Sequence, residues 1–483
     1  MNRKVINARK WKPAVPNRVL ALCLLGTIGL IYPIVFGPPC VRANDQQTSL
    51  KAGLATDVIT PEQSMWMAGY AARTRPSEGK VHDLHAKALA LEDERGTRLV
   101  IVTVDLISIP RPLHDWLEKE AYRSYKLPPQ SLLLSASHTH SGPELREQKV
   151  SFWWGLGPKE IRQTREYLEH LQDQLLQLVG RAIENLAPAK LGYTHARAGF
   201  AMNRRLKTEG GFRNSPNPDG PVDHDVPVLR IDGPDGKLHA VVFGYACHNT
   251  TLNFYKFCGD YAGFAQQYLE EAFPGATALF IAGCGADQNP YPRRGSRSLE
   301  YCMQHGRALA NGVEAALAVK ALPVRGPIRS VLETVTLKFA EPPTREQLEE
   351  QAKSSDKYDR RHAEQLLKEL EQTGKIQTTY PYLVQVVQFG SDLTMVALAG
   401  EVVVDYSLRL KAELAGPPVW VAGYCNDVLG YIPSLRVLQE GGYEGGGAMR
   451  NTTLPGPFAP SIEKLIVDKV HELVNKVRTS KGD

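Results

Sequence analysis

Residues 132–143 read Leu132-Leu133-Leu134-Ser135-Ala136-Ser137-His138-Thr139-His140-Ser141-Gly142-Pro143, an apolar run that closes on an H-x-H step and a Ser-Gly-Pro stop. The run predicts a buried strand. Alternate strand residues share a face, and at about 3.3 Å rise per residue the two imidazole stems stand roughly 6.6 Å apart at the strand mouth. That spacing suits one metal ligand beside one acid/base, or two ligands of a single ion. Two histidines at a strand end are also common as plain surface residues, so the pair needs company.

Company comes from two further apolar runs. Residues 241–245 lead through Ala246 and Cys247 to His248, and residues 396–399 stop at Gly400 before Glu401. Taken singly, Glu401 reads as the opening of a helix, where the dipole favours a carboxylate. Taken together, two imidazoles and a carboxylate at strand ends form a common zinc ligand set with an open position for water.

Working outward, strands are predicted at 88–91, 99–104, 226–231, 240–245, 278–281, 382–389 and 393–398. A long amphipathic helix is predicted over 158–186, with Ile161, Tyr167, Leu168, Leu171, Leu175 and Leu178 at helical spacing and Pro188 beyond its end. Further helices are expected at 261–272, 299–319, 344–370, 402–414 and 462–477. Alternating strands and helices favour sheets covered by helices over an all-α or all-β plan. Residues 322–343 form the one seam, and Asp260 is read as the N-cap of the helix that follows it. His82 and His85 fit no strand face and are read as structural or supporting residues.

The 483 residues are 43% hydrophobic and 23% charged, the balance of a globular protein with a sizeable core. Residues 1–43 differ. Arg3, Lys4, Arg9, Lys10, Lys12 and Arg18 precede an apolar stretch, 19–36, and Val41-Arg42-Ala43 follows, the pattern of a secretory signal cleaved after Ala43. An uncleaved anchor is the competing reading, weakened by Pro33 and the Pro38-Pro39 pair. Secretion, or export to a periplasm or cell envelope, is therefore expected. Of the 57 Lys and Arg residues seven lie in this leader, leaving 50 against 52 Asp and Glu, so a nucleic-acid partner has no electrostatic motive. Beyond the leader stand Cys247, Cys258, Cys284, Cys302 and Cys425, with no C-x-x-C pair and room for one unassigned bridge.

Five motifs now stand in order: His138-Thr139-His140-Ser141-Gly142-Pro143, Ala246-Cys247-His248, Gly400-Glu401, the stretch Gly423-Tyr424-Cys425-Asn426-Asp427-Val428-Leu429-Gly430-Tyr431-Ile432, and Tyr443-Glu444-Gly445. In this order they resemble the neutral/alkaline non-lysosomal ceramidases, over about 54–477. The resemblance implies one zinc ion per chain held by His138, His248, Glu401 and the phenol of Tyr431. It implies His140 as general acid/base, and Arg204 with Tyr443 as donors to the substrate carbonyl or oxyanion. The expected fold is α/β, a layered αββα-like core of mixed sheets flanked by helices in a single large catalytic domain, residues 44–483.

Two departures stand out. The family's Gly-Asp-x-Ser-Pro segment is matched by Ala286-Asp287-Gln288-Asn289-Pro290, so Asn289 replaces the serine. A carboxamide is no nucleophile but can donate to an oxyanion, which leaves attack to water activated at the metal. Asp287 is read as a brace for its loop, and a Cys284 thiol remains a less favoured nucleophile. The family's immunoglobulin-like β domain is not expected after residue 483, which weakens ceramide as the substrate. The leading expectation is a zinc amidohydrolase acting on a ceramide-like lipid or related small N-acyl amide, in reach of a membrane surface. Beside it stand a zinc esterase or amidase for another envelope substrate, and a non-catalytic, metal-stabilised binding protein.

Overall fold

A computed structural model describes residues 50–479, and the expected leader lies outside them. The larger sheet runs, from edge to edge, Thr277–Ala282, Leu238–Tyr245, Asp225–Asp232, Ala187–Arg197, Leu50–Val58, His85–Glu92, Arg98–Val104 and Leu132–Ala136, with the short Leu322–Val324 also pairing to Ala187–Arg197. Its interior pairs are antiparallel, whereas both edge strands run parallel to their neighbours. A second sheet is ordered Ile328–Lys338, Thr379–Phe389, Leu393–Leu398, Val419–Ala422, again with a parallel edge.

The apolar pattern explains why these sheets stack. In Leu238–Tyr245 the residues Val241, Phe243 and Tyr245 pack against Tyr261 and Leu309 of the covering helices, while Ala240 and Val242 face the other sheet. In Leu393–Leu398 the residues Leu393, Met395 and Ala397 face the first sheet, while Val396 and Leu398 join Leu410, Val470 and Leu473 of outer helices. A strand buried on both faces must be apolar at both parities, as these are. Each such large side chain taken from water contributes roughly 1.5–3 kcal/mol. The result is the expected α/β fold in four layers: helices Arg111–Tyr125, Pro158–Glu184, Asp260–Ala272 and Ser298–Leu317, then two sheets, then helices Val404–Glu413 and Ile462–Thr479.

Several expectations are corrected. The predicted helix 344–370 is two helices, Arg345–Gln351 and Lys357–Thr373, the second capped afresh by the Asp356 carboxylate accepting from Tyr358 N. The seam at 322–343 is mostly the strand Ile328–Lys338, paired along its whole length with Thr379–Phe389. Its interleaved Arg329, Glu333 and Thr336 suit an edge strand with a half-exposed face. Helix Arg111–Tyr125, begun with Pro112 in its first turn, was not foreseen. Asp260 sits within its helix rather than capping it, at φ 55°, and its carboxylate accepts from Thr251, Leu252 and Tyr261 backbone N–H groups. All five cysteines of the described residues are free and buried. Among the described residues no helix is long and apolar enough to cross a membrane.

Candidate metal centre

The strands Leu132–Ala136, Leu238–Tyr245, Thr277–Ala282, Leu393–Leu398 and Val419–Ala422 release their C-terminal ends at one pole of the stacked sheets. Hydrogen bonds lace these ends together: Asn426 N donates to Leu134 O at 2.9 Å, Gly283 N to Tyr245 O at 2.9 Å, Gly423 N to Ala282 O at 3.0 Å and Tyr424 N to Gly400 O at 3.0 Å. The sequence-predicted site residues arrive here from the loops that follow.

His138 and His140 do not lie on the strand, which ends at Ala136. His138 has φ 60°, so the chain turns where strand geometry was expected. The rings nevertheless meet, with centroids 4.9 Å apart and Nε2 atoms 3.2 Å apart. His248 joins them, its ring 4.9 Å from that of His138, and one ligand atom from each histidine falls within 4.8 Å of the others. Glu401 opens no helix. It forms a two-residue parallel ladder with Tyr431, Glu401–Val402 against Tyr431–Ile432, which sets carboxylate and phenol side by side. Glu401 Oε2 is 3.3 Å from His138 Nε2 and 3.2 Å from His248 Nε2, and the Tyr431 hydroxyl is 3.4 Å from His248 Nε2.

The tautomers decide what this cluster can hold. His138 Nδ1 is 2.6 Å from Ile107 O and His248 Nδ1 is 2.8 Å from Gly285 O. A carbonyl only accepts, so both rings carry their proton on Nδ1 and aim an Nε2 lone pair inward. Three acceptors, two imidazole nitrogens and a carboxylate oxygen, then surround one point with no proton between them. Protonating His248 is disfavoured: burial, helped by the Arg204 charge, pushes it down to about 3. Burial alone would raise Glu401, but His138 and His248 hold it well below the usual carboxylate range. A cation satisfies all three acceptors, so the donor set fits a divalent metal.

His140 differs from the other two. Its Nδ1 is buried without a partner, and burial, with His138 nearby, holds its pKa well below the ordinary value. Gly69, at φ 96°, lets the backbone lie against this ring: a Cβ there would come 2.5 Å from His140 Nδ1. Arg204 stands behind the cluster, 4% exposed. Its guanidinium donates to Tyr431 Oη at 2.9 Å, Glu444 Oε1 at 2.7 Å and Asn289 Oδ1 at 3.3 Å. Asn289 lies outside the lining of the cleft, with Thr250 Oγ1 donating to its oxygen at 3.1 Å and its amide donating to Asn214 Oδ1 at 3.4 Å. Asp287 is the brace expected, accepting from Val404 N and Asn203 Nδ2. Cys284 is fully buried, and burial pushes its thiol well above the ordinary value, against a thiolate nucleophile. Tyr443, 40% exposed, stands at the rim of a narrow cleft of about 60 Å³ that opens onto His138, His140, Glu401 and Tyr431.

Sequence reasoning gave no role to Glu444, the shared acceptor of Arg204 and Arg205, nor to the carbonyls of Ile107 and Gly285. Glu444 was visible only as a neighbour of Tyr443. The carbonyls carry no side-chain signal at all.

Fold and site together define a class: an α/β protein that gathers imidazoles and a carboxylate where two stacked sheets end, as a metal site. The family described as neutral/alkaline non-lysosomal ceramidase, N-terminal, matches residues 51–289, and the chain belongs to it. Neutral ceramidase A of Dictyostelium discoideum is 24% identical over 250 residues, 47% of this chain and 33% of that protein. Neutral ceramidase B of the same organism is 23% identical over 249 residues, 48% of this chain and 33% of that protein. The chain thus spans about a third of the length of these relatives. The crystal structure of neutral ceramidase from Pseudomonas aeruginosa superposes with a TM-score of 0.69 at 19% identity, covering 90% of this chain and 76% of that one. A ceramidase complexed with C2 gives 0.69 at 18% identity, covering 90% and 77%. These two similarities concern the fold.

Proposed function

We propose that residues 44–483 form a zinc-dependent amidohydrolase that cleaves an N-acyl amide, a ceramide-like lipid or a related molecule. The observation that carries this reading is the convergence of two Nδ1-anchored imidazoles and one carboxylate on a single point, beside a cleft that reaches solvent. His138, His248, Glu401 and Tyr431 would hold the ion. Imidazole and carboxylate ligands suit zinc. When bound, the ion supplies a Lewis acid that polarises the acyl carbonyl and acidifies water.

The remaining work falls to side chains. His140 lines the cleft with its Nε2 toward the cluster and, unlike the two anchored rings, has no carbonyl fixing its tautomer, so it is assigned the transfer of a proton from the attacking water to the departing amine nitrogen. Burial pushes the Tyr431 phenol well above its ordinary value, and Arg204, which donates to its oxygen, offsets part of that rise. Tyr443 at the rim offers its hydroxyl to the developing oxyanion. Asn289 supports this group through Arg204 rather than from the cleft itself. The basic and apolar leader supports export to the periplasm or envelope, or secretion, where a lipid amide is met at a membrane surface.

The test begins with metal content. Purified protein is expected to carry about one zinc per chain by elemental analysis, and His248→Ala to lose it together with hydrolysis of fluorogenic N-acyl amides. Unchanged zinc in that variant would remove the ligand assignment. A zinc-loaded protein inert on every amide and ester offered would favour a binding role.

A further inference from the structure

Away from the metal centre, two thiols and a third kind of imidazole meet. Cys258 and Cys302 are both fully buried, the first just before helix Asp260–Ala272 and the second on helix Ser298–Leu317. The two helices approach closely because Gly306 has no side chain: a Cβ there would come 2.6 Å from Phe264 Cβ and 3.0 Å from Tyr261 O. Cys302, one turn earlier on the same face of its helix, is carried to the start of the other, within hydrogen-bonding reach of the Cys258 sulfur. Its Sγ also donates to Asp260 Oδ1 at 3.6 Å.

His82 completes the group. Its Nδ1 lies 2.9 Å from Asp83 O, a carbonyl that only accepts, so the ring proton sits there and the Nε2 lone pair faces Cys258 Sγ at 3.3 Å. The ring has no room to turn away: a Cβ at Gly263 would come 2.4 Å from its Cε1 and one at Gly259 3.1 Å, while Phe264 meets it edge-on with centroids 4.9 Å apart. We infer that Cys258 and Cys302 are a redox-active thiol pair, that His82 is the base serving Cys258, and that a small-molecule disulfide such as oxidised glutathione closes the pair into a bridge. Burial alone would raise Cys258, yet Cys302 and His82 hold it below its ordinary value, whereas burial pushes Cys302 well above. Cys258 is therefore the attacking sulfur. Its proton passes to His82 Nε2 as it attacks one sulfur of the oxidant, breaking that S–S bond and releasing one glutathione thiolate. Cys302, its proton taken by the Asp260 carboxylate, then attacks the Cys258 sulfur of the mixed disulfide and expels the second thiolate. Both protons finish on the two glutathiones, so two protein thiols are oxidised and one disulfide is reduced.

The bridge bears on the metal centre without depending on the hydrolase reading. Cys258 O accepts from Thr139 Oγ1 at 2.7 Å and Cys258 N donates to Ser141 O at 3.0 Å, on either side of His140, while Asp260 accepts from Thr251 N at 3.3 Å and Leu252 N at 3.0 Å beyond His248. Closing the pair ties both histidine-bearing loops to helix Ser298–Leu317.

The test equilibrates the purified, reduced protein with equal amounts of oxidised and reduced glutathione, then denatures it in iodoacetamide and digests it. Mass spectrometry is expected to find Cys258 joined to Cys302, about 2 Da lighter than the two thiol peptides together, in at least about nine-tenths of the chains. This linkage is read in the unaltered chain and needs no variant to fold. His82→Gln should slow closure at least about tenfold and leave the same pair joined at equilibrium, which a ring serving only to pack would not do. The closed form should unfold at higher urea than the reduced form, and Cys302→Ala should remove that difference between oxidising and reducing buffers. Thiols that stay free in the unaltered protein, or that join other cysteines, would overturn the pair. An unchanged closure rate in His82→Gln would overturn the role of the base.

Discussion

At the scale of single residues the site depends on groups that hold other groups. Glu444, 3% exposed, is the counter-charge of two buried guanidiniums, Arg204 at 2.7 Å and Arg205 at 2.7 Å. Changing Glu444 to Gln leaves Arg204 facing a neutral amide, while Arg205 keeps Glu440 at 3.1 Å, and a loss of about 3 kcal/mol in urea unfolding is expected. Because Arg204 also holds the Tyr431 hydroxyl, the same variant should lower kcat more than it changes KM. The sequence exposed the chemistry-bearing residues His138, His140, His248 and Glu401, since each stands where an apolar run stops. It hid Glu444, whose partner Arg205 lies 239 positions away, because a long-range ion pair leaves no local pattern.

The elements explain why those residues meet. The ladder Glu401–Val402 against Tyr431–Ile432 is only two residues long and begins at Gly400, φ 77°, where a Cβ would come 2.6 Å from Ile432 Cγ1 and 3.0 Å from Gly430 O. Gly400→Ala must therefore spread the ladder or strain the backbone. Zinc affinity, measured by competition with a chromogenic chelator, is expected to fall about 10–100-fold while far-ultraviolet circular dichroism stays native. A gain in affinity, or no change, would mean the ladder does not align the two oxygens. Gly69→Ala acts on the other side of the cluster by pressing on the His140 ring, and should cost at least about tenfold in kcat with zinc content unaltered. The short ladder is not legible in the sequence: two residues are too few for a period of two to register, and the carboxylate reads as a helix start for that reason. The long, strongly periodic helix at Pro158–Glu184 and the doubly apolar strands were legible, because burial on one stripe or on both faces writes itself into many consecutive positions.

For the whole molecule, the join between layers contains a buried ionic link. Lys411, on a helix outside the second sheet, donates to Asp223 Oδ2 at 2.8 Å and to Asp225 Oδ2 at 3.0 Å, beside the first sheet. Burial alone would raise Asp223, yet Lys411 and the Ser407 hydroxyl hold it below its ordinary 3.8; burial alone would lower Lys411, yet the two aspartates hold it above its ordinary 10.5. The Asp223 contribution is therefore present above pH 3.8 and lost as pH falls through the lower folded value, and the Lys411 contribution is present below pH 10.5 and lost as pH rises through the higher folded value. Lys411→Met is expected to cost about 2–3 kcal/mol at pH 7 by urea unfolding, and to flatten both edges of the pH–stability curve. The four-layer plan was readable from alternating strands and helices, whereas the pairing of Ile328–Lys338 was not, since a polar edge strand looks like a connector until its partner is known. The corner where the sheets end has one more consequence. His248 and Tyr431 are 183 positions apart in the chain, so the whole stretch between them must be synthesised and folded before the pocket for the cation exists. Assembly of the donor set is thus a late event of folding, and a cation that needs all of its ligands is captured by the folded protein rather than by the nascent chain.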